Sequence, residues 1–318
     1  MAHLPLAHIS WAIADNAERP ACDAWFMDLF GAQSVYEMLV TRETAKYRFD
    51  REERLMVVGD TMLIPIAPAG EGAGAGNPLG DMLRRSAGKN KWIGLAFRAA
   101  DLALAADWFR ARGFDLHFDR GMEDKYFLVT RRQAMGIRIE VMQGELPDDP
   151  RLKADWAPER WASDHPLGIE GLLSVDVSVT DLEAARAVFG ARLQWPELNE
   201  RDLPGEDAHG LAFLASDIVI EALCPAREGT ALADHARDNP GLCGITFKVR
   251  SAKAAADYLA GRGCTLVGNA ETRFAISPDE AQGRLIWFSQ TVPAGWPNPH
   301  SLLRKPVPFP PQLEETWP

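Results

Sequence analysis

The sequence predicts an α+β fold assembled from four modules with the element order βαβββ, and three observations support this. The 318 residues correspond to about two domains at roughly 150 residues each. A segment that begins at Gly94 recurs 150 residues later, beginning at Gly244. Four short alternating strands are each followed by a helix-capping residue and a helical pattern. The chain is therefore expected to be a tandem duplication of a module pair.

The repeat is clearest in the second and fourth modules. GLAFRAAD at 94–101 matches GITFKVRS at 244–251, and AADWFRARGFDL at 105–116 matches AADYLAGRGCTL at 255–266, without a gap. A weaker match joins the first and third modules, DAWFMDLFGA at 23–32 with EAARAVFGA at 183–191. Internal repeats of this kind indicate repeated structural units. The modules thus follow an A-B-A′-B′ order.

Each element of the module has a local reason. The first strands (HISWAIAD, GLAFRAAD, SVDVSVTD and GITFKVRS) alternate and end on Asp or Ser, which can accept a hydrogen bond from a free amide at a helix N-terminus. A helix of about three turns follows. It is expected to close at Gly31, Gly113, Gly190 or Gly263, since glycine suits the left-handed C-terminal position. Further strands, such as KYFLVT and GIRIEVMQ, complete the module.

Composition shifts divide the chain into domains. We expect a first domain over residues 1–145, a linker over 146–168, a second domain over 169–290 and a C-terminal segment over 291–318. GEGAGAGNPLG at 70–80 predicts a flexible loop. The linker contains Trp156 and Trp161, which are candidates to cover a pocket mouth. The C-terminal segment has eight prolines, which exclude a regular helix, and Trp296, Phe309 and Trp317 in it suggest a docked strap.

Charge and composition limit the classes of partner. The net charge is −11, with 47% hydrophobic and 25% charged residues, which is typical of a globular protein. A negative surface repels phosphate backbones, so we expect no nucleic-acid partner. No export signal and no membrane-spanning stretch is recognisable. The four cysteines lack metal-site spacing. We therefore expect a cytoplasmic protein with a small-molecule substrate, and a homodimer is compatible with these features.

The tandem modules, the HIxxxxxD first strand, the helix closing in FGA and the final GxxxE strand resemble the vicinal oxygen chelate superfamily. That superfamily includes glyoxalase I, methylmalonyl-CoA epimerase, extradiol dioxygenases and bleomycin-resistance proteins. The resemblance covers about residues 4 to 290. It implies that two modules form one cupped, eight-stranded half-barrel domain, so that the chain contains two cups. A four-module chain of this length is similar to the extradiol dioxygenases.

The resemblance also implies where a divalent metal would bind. The matching positions of the first domain are His8, Ile64, Gly94 and Glu140, so half of the expected ligands are present. Those of the second domain are Ser174, Glu221, Gly244 and Trp287, and this domain is interpreted as a support. His8 and Glu140 suit Fe, Mn, Zn, Ni or Mg. His117 is the candidate third ligand, and the substrate's own oxygens are the alternative.

Strand alternation extends the candidate site of the first domain. Side chains two residues apart share a face, so Ser10 is expected beside His8, and Arg138 beside Glu140. Arg98 follows from Gly94 in the same way, and Ile64 would add an apolar wall. Two guanidinium groups match a carboxylate or an enolate. We expect Ser10, Arg98, Arg138 and Ile64 to bind the substrate.

Three functions are compatible with this pattern. The first is an acid–base enzyme (isomerase, epimerase or lyase) in which His8 or Glu140 moves a proton on a small oxygenated anion, aromatic or acyl in character. The second is an extradiol-type ring-cleaving dioxygenase, which needs a two-His, one-carboxylate triad. The third is a metal-free small-molecule binding protein, because ligands are missing from both domains.

Overall fold

The predicted module order is confirmed in a computed structural model, which describes residues 4–14, 16–40, 51–68, 82–83, 91–119, 121–146, 148–281 and 283–299. The first module consists of β1 (Leu6–Ala12), α1 (Arg19–Phe30), β2 (Gln33–Val40), β3 (Arg51–Val58) and β4 (Thr61–Pro68). The second consists of β5 (Lys91–Ala99), α2 (Leu102–Ala111), β6 (Leu116–His117), β7 (Tyr126–Val129) and β8 (Arg138–Gln143).

The second half of the chain repeats this order after a linker that contains a 3₁₀ turn (Pro150–Leu152) and α3 (Arg160–Ser163). The third module consists of β9 (Ile169–Ser178), α4 (Leu182–Ala185), a π-helical segment (Arg186–Arg192), β10 (Glu197–Leu203), β11 (Ala208–Ala215) and β12 (Ile218–Pro225). After α5 (Ala231–Asp238), the fourth consists of β13 (Gly241–Val249), α6 (Ala252–Gly261), β14 (Leu266–Asn269), β15 (Arg273–Ile276) and β16 (Leu285–Ser289).

The strands form two eight-stranded mixed sheets with the same topology. The first has the order β2-β3-β4-β1-β5-β8-β7-β6, and the second has the order β10-β11-β12-β9-β13-β16-β15-β14. In each sheet the first strands of two modules lie antiparallel at the centre, and each is parallel to the last strand of its own module. This is the predicted α+β fold with two half-barrel domains. We call the face that carries His8, Ile64 and Glu140 the first cup, and the equivalent face of the second sheet the second cup.

The helix caps follow the sequence in three modules. The side chains of Asp101, Asp181 and Ser251 accept hydrogen bonds from backbone amides of the first helical turns, which compensates free donors there. Asp15 lies outside the described residues. One predicted helix end is wrong, because Gly190 lies inside the π-helical segment and the left-handed residue is Gln194, with φ 54°.

The outer faces of both sheets share one apolar core with the helices between them. Ile9, Trp11 and Ile139 are almost completely buried on the predicted outer face of the first sheet. Phe30 of α1 stacks on Phe288 of the second sheet at 5.8 Å between ring centroids. This continuous core joins the two halves of the chain. The apolar surface that it removes from water stabilises the association of the two halves.

Two predicted loop features can be placed only in part. Residues 70–80, Phe309 and Trp317 lie outside the described residues. Trp296 is buried, and its indole Nε1 donates a hydrogen bond to Asn199 Oδ1 at 2.7 Å.

Within the described ranges, every helix is too short or too polar to cross a membrane.

Candidate functional site

The strand register brings the predicted ligand positions of the first domain to the centre of the first cup. Ala96 of β5 pairs with His8 on one side and with Glu140 on the other. The neighbouring row of the sheet contains Ser10, Ile64, Gly94 and Arg138. Apart from Arg98 and His117, the residues chosen from the sequence therefore occupy two adjacent rows across four strands.

His8 lies at a closed end of the first cup. It is 8% exposed, and no described residue hydrogen-bonds its Nδ1. The pKa of His8 is lowered to about 3, mainly by burial and then by the positive charges of Arg151 and Arg98. The imidazole is therefore neutral near pH 7, which does not suit the role of a proton donor.

The linker closes this end of the first cup. The Arg151 guanidinium donates hydrogen bonds to Asp149 Oδ2 at 2.8 Å and to the Ala7 carbonyl oxygen at 2.9 Å. Arg98, predicted to bind substrate, forms an ion pair with Asp149 at 3.5 Å and is buried. Arg98 thus contacts the linker, a partner that sequence patterns did not indicate.

The first cup contains an apolar cluster on β3 and β4. Ile64 packs with Leu55, Val57 and Met62 in a buried cluster, and Trp156 of the linker packs against it. Trp161 lies beside Trp156, with ring centroids 5.5 Å apart, and donates its Nε1 hydrogen to the Phe30 carbonyl oxygen at 3.1 Å. Trp156 therefore covers part of the cup, whereas Trp161 anchors the linker to α1.

Glu140 is in a different environment. Its side chain is partly buried, and no described residue is hydrogen-bonded to its carboxylate. The pKa of Glu140 is raised to about 7, mainly by burial and next by the negative charge of Glu53, while Arg51 and Arg138 act in the opposite direction. A carboxyl group with this pKa exists in both protonation states near neutral pH.

Sequence analysis missed Glu53 and Arg51. Both are on β3, Glu53 is 6% exposed, and the Arg51 guanidinium pairs with the Glu53 carboxylate. Glu53 also pairs in register with Ile66 of β4. The alternation of REERLMVV contained a signal, because Arg51 and Glu53 share a face with Leu55 of the cup. Only the curvature of the sheet brings this face near β8.

His117 lies on the edge strand β6, where it is partly exposed. Its Nε2 is 3.1 Å from Asp119 Oδ1, and the Tyr126 hydroxyl donates a hydrogen bond to Asp119 Oδ2 at 2.6 Å. His117 thus belongs to an edge cluster with Asp119 and Tyr126. Arg138 is exposed at the start of β8.

The predicted three-ligand metal set of His8, Glu140 and His117 is not assembled. In the part of the chain that the structure describes, no group of three His, Cys, Asp or Glu side chains could hold a metal ion. Arg98 and Arg151 also place positive charge at His8, which disfavours a bound cation. The described donors of the first cup therefore do not fit a divalent metal.

The second cup contains a polar network at the positions where the sequence resemblance would place metal ligands. Arg201 donates two hydrogen bonds to Glu221, at 2.7 and 2.8 Å, and the Ser174 hydroxyl donates to Asp176 at 2.8 Å. Arg273 lies 3.8 Å from Asp176 and stacks over Trp287. Sequence analysis singled out Glu221 but missed Asp176, Arg201 and Arg273. The buried carboxylates of Glu221 and Asp176 thus have hydrogen-bond partners within the second cup.

Comparison with one solved structure shows the same overall fold. No protein-family model matches the sequence, and neither does any curated protein. A triple mutant of 4-hydroxymandelate synthase from Streptomyces coelicolor has a similar structure, with TM-score 0.66 and 15% identity over 91% of this chain and 92% of that chain. Methylmalonyl-CoA epimerase from Mycobacterium tuberculosis matches with TM-score 0.35 and 23% identity over 38% of this chain and 87% of that chain.

Proposed function

From the two-domain vicinal oxygen chelate fold of this chain, we propose an acid–base enzyme in which Glu140 moves a proton on a small oxygenated anion bound in the first cup. The observation that carries the proposal is a Glu140 carboxyl group that faces the cup with its pKa raised to about 7. A general base is most effective when its pKa is near the working pH. We place this activity in the cytoplasm.

Residues around Glu140 supply the complementary charge. Arg51 and Arg138 both stabilise the ionised form of Glu140, and their guanidinium groups could also bind a substrate carboxylate or a developing enolate. Glu53 counteracts them by keeping the Glu140 pKa high. Glu140 would take a proton from the carbon next to a carbonyl group and leave an enolate. Return of that proton to a neighbouring atom isomerises the substrate, protonation of the same carbon from the opposite face by solvent epimerises it, and loss of a leaving group from the adjacent atom makes the reaction a lyase reaction. The three reactions share the initial proton abstraction.

The remaining predicted residues shape the floor of the cup in this proposal. Ser10 and Ile64 are buried in the row next to His8, where they would contact the less polar part of the substrate. His8 remains neutral there and Arg98 remains paired with Asp149. The proposed proton transfer uses no metal, because the described donors do not fit one.

A metal-free binding protein is the second candidate. It is favoured by the linker contacts that close the His8 end of the cup and by the missing donors at Ile64 and Gly94. Such a protein would bind the anion through Arg51 and Arg138 without proton transfer. The two candidates therefore differ in chemistry rather than in ligand class.

Proton exchange with solvent separates the candidates. The protein would be incubated in D₂O with pyruvate, phenylpyruvate and a methylmalonyl thioester, and deuterium incorporation beside the carbonyl group would be followed by NMR. We expect exchange by the wild type, a loss of about 100-fold or more in Glu140→Gln, and no change in Glu228→Gln, which alters an exposed glutamate. Exchange should also survive treatment with a chelator.

Two results would contradict the proposed enzyme activity. Unchanged exchange in folded Glu140→Gln would remove Glu140 from the reaction. Calorimetric binding of these compounds without exchange by the wild type would favour the binding protein.

A further inference from the structure

A cleft with a cavity volume of about 470 Å³ lies between the two halves of the chain, away from Glu140. Its lining includes Lys91, Arg131 and Arg132 from the first half, and Ser178 and Thr180 from the second. None of these five residues is among the site residues described above. The proposed function does not account for the cleft.

The backbone holds the walls of the cleft in place. Gly136, with φ +86°, lies so close to the second half that an added Cβ would be 2.1 Å from the Pro240 carbonyl oxygen. Arg131 donates hydrogen bonds to the Gly136 carbonyl oxygen at 2.6 Å and to the Pro240 carbonyl oxygen at 3.1 Å. Lys91 donates to Asn239 Oδ1 at 2.7 Å. These contacts between the two halves fix the walls of the cleft relative to each other.

The cleft is basic although the whole chain has a net charge of −11. Three cationic side chains line it, against one carboxylate, Asp238, which accepts hydrogen bonds from Arg237 at 2.9 and 3.0 Å. The positive charge of the cleft also affects the partly buried His235. Desolvation and the charges of Lys91 and Arg131 lower the pKa of His235 to about 4. His235 Nδ1 is 2.7 Å from the Ser178 hydroxyl of the cleft wall.

We propose that this cleft binds the phosphate or carboxylate groups of a small polyanionic metabolite. Arg132 is exposed in the cleft, and its planar guanidinium can donate two parallel hydrogen bonds to an oxyanion. The Thr180 hydroxyl and the Lys91 ammonium group add donors on opposite walls. A bound anion would contact both halves of the chain, so it would stabilise their association.

His235 provides a direct probe of occupancy. An anion in the cleft opposes the positive charge that Lys91 and Arg131 exert on the imidazole, so binding should raise the pKa of His235. The probes are inorganic phosphate and citrate, each titrated at constant ionic strength. Binding is measured by calorimetry, and the His235 pKa by NMR, with the resonance assigned from a His235→Gln variant.

Matched variants separate a site from general charge attraction. We expect saturable binding of at least one probe with one site per chain, weakened about tenfold or more in Arg132→Gln and in Lys91→Gln. Arg227→Gln removes the same charge from an exposed arginine outside the cleft and should bind as the wild type does. Saturation by phosphate alone or by citrate alone would identify which oxyanion the cleft accepts.

The inference would be overturned if neither probe binds saturably, or if Arg132→Gln and Lys91→Gln bind as tightly as Arg227→Gln. Glu140→Gln should bind the probes with wild-type affinity. The anion cleft and the proposed reaction in the first cup can therefore fail independently.

Discussion

Replacing Glu140 by glutamine should make the protein more stable above neutral pH. The pKa of Glu140 rises from 4.5 to about 7 in the folded protein, so between these values the folded protein keeps a proton that the unfolded chain has released. Wild-type stability then falls by about 1.4 kcal/mol for each pH unit in this window. The total loss of wild-type stability is about 3 kcal/mol, and it is complete above pH 7.

Glutamine is uncharged at every pH and has nearly the same shape, so Glu140→Gln avoids this loss. Urea unfolding of both proteins between pH 4 and pH 9 would measure the difference in the free energy of unfolding. We expect almost no difference at pH 4 and an advantage of about 3 kcal/mol for the variant at pH 8. Glu228→Gln reports the effect of the same substitution at an exposed site. An equal difference at pH 4 and pH 8 would refute the environment inferred for Glu140.

Two further predictions concern a neighbouring charge and a backbone contact. Glu53→Gln should lower the pKa of Glu140, since Glu53 is the second largest cause of its elevation after burial; a carboxyl-carbon NMR titration that shows no downward movement would contradict this. Gly136→Ala should lower the melting temperature more than Gly144→Ala. Both glycines have positive φ, but an added Cβ meets the Pro240 oxygen at Gly136 and nothing within 4 Å at Gly144. We expect Gly136→Ala to lower the free energy of unfolding by about 1–3 kcal/mol more than Gly144→Ala does. Equal melting temperatures of the two variants would argue against the close contact.

Much of the first cup was predictable from local patterns. Alternation along β1 and β8 correctly separated the cup residues His8 and Glu140 from the outer residues Ile9 and Ile139. It succeeded because the side chains of a strand alternate between its two faces whatever the rest of the chain does. The repeat between Gly94 and Gly244 was equally local, and it led to the confirmed four-module fold.

The electrostatics of the cup were not predictable in this way. Arg151, which helps to keep His8 neutral, is separated from it by 143 residues, and no pattern along the chain relates the two. His117 was chosen as a metal ligand by residue type, yet it lies in an edge cluster with Asp119. Residue type indicates what a side chain can do, whereas its neighbours determine which of these roles is open to it.

The sequence by itself determined the module order, the duplication and the face of each strand, because hydrogen-bonding periodicity and capping act over a few neighbouring residues. Only the tertiary structure decided that Glu53 approaches Glu140, that the linker closes over His8, and that three cations meet in one cleft. A pKa depends on burial and on charges within several ångströms. Those distances are fixed by the curl of the sheets and by the packing of the two halves, which no short stretch of sequence contains.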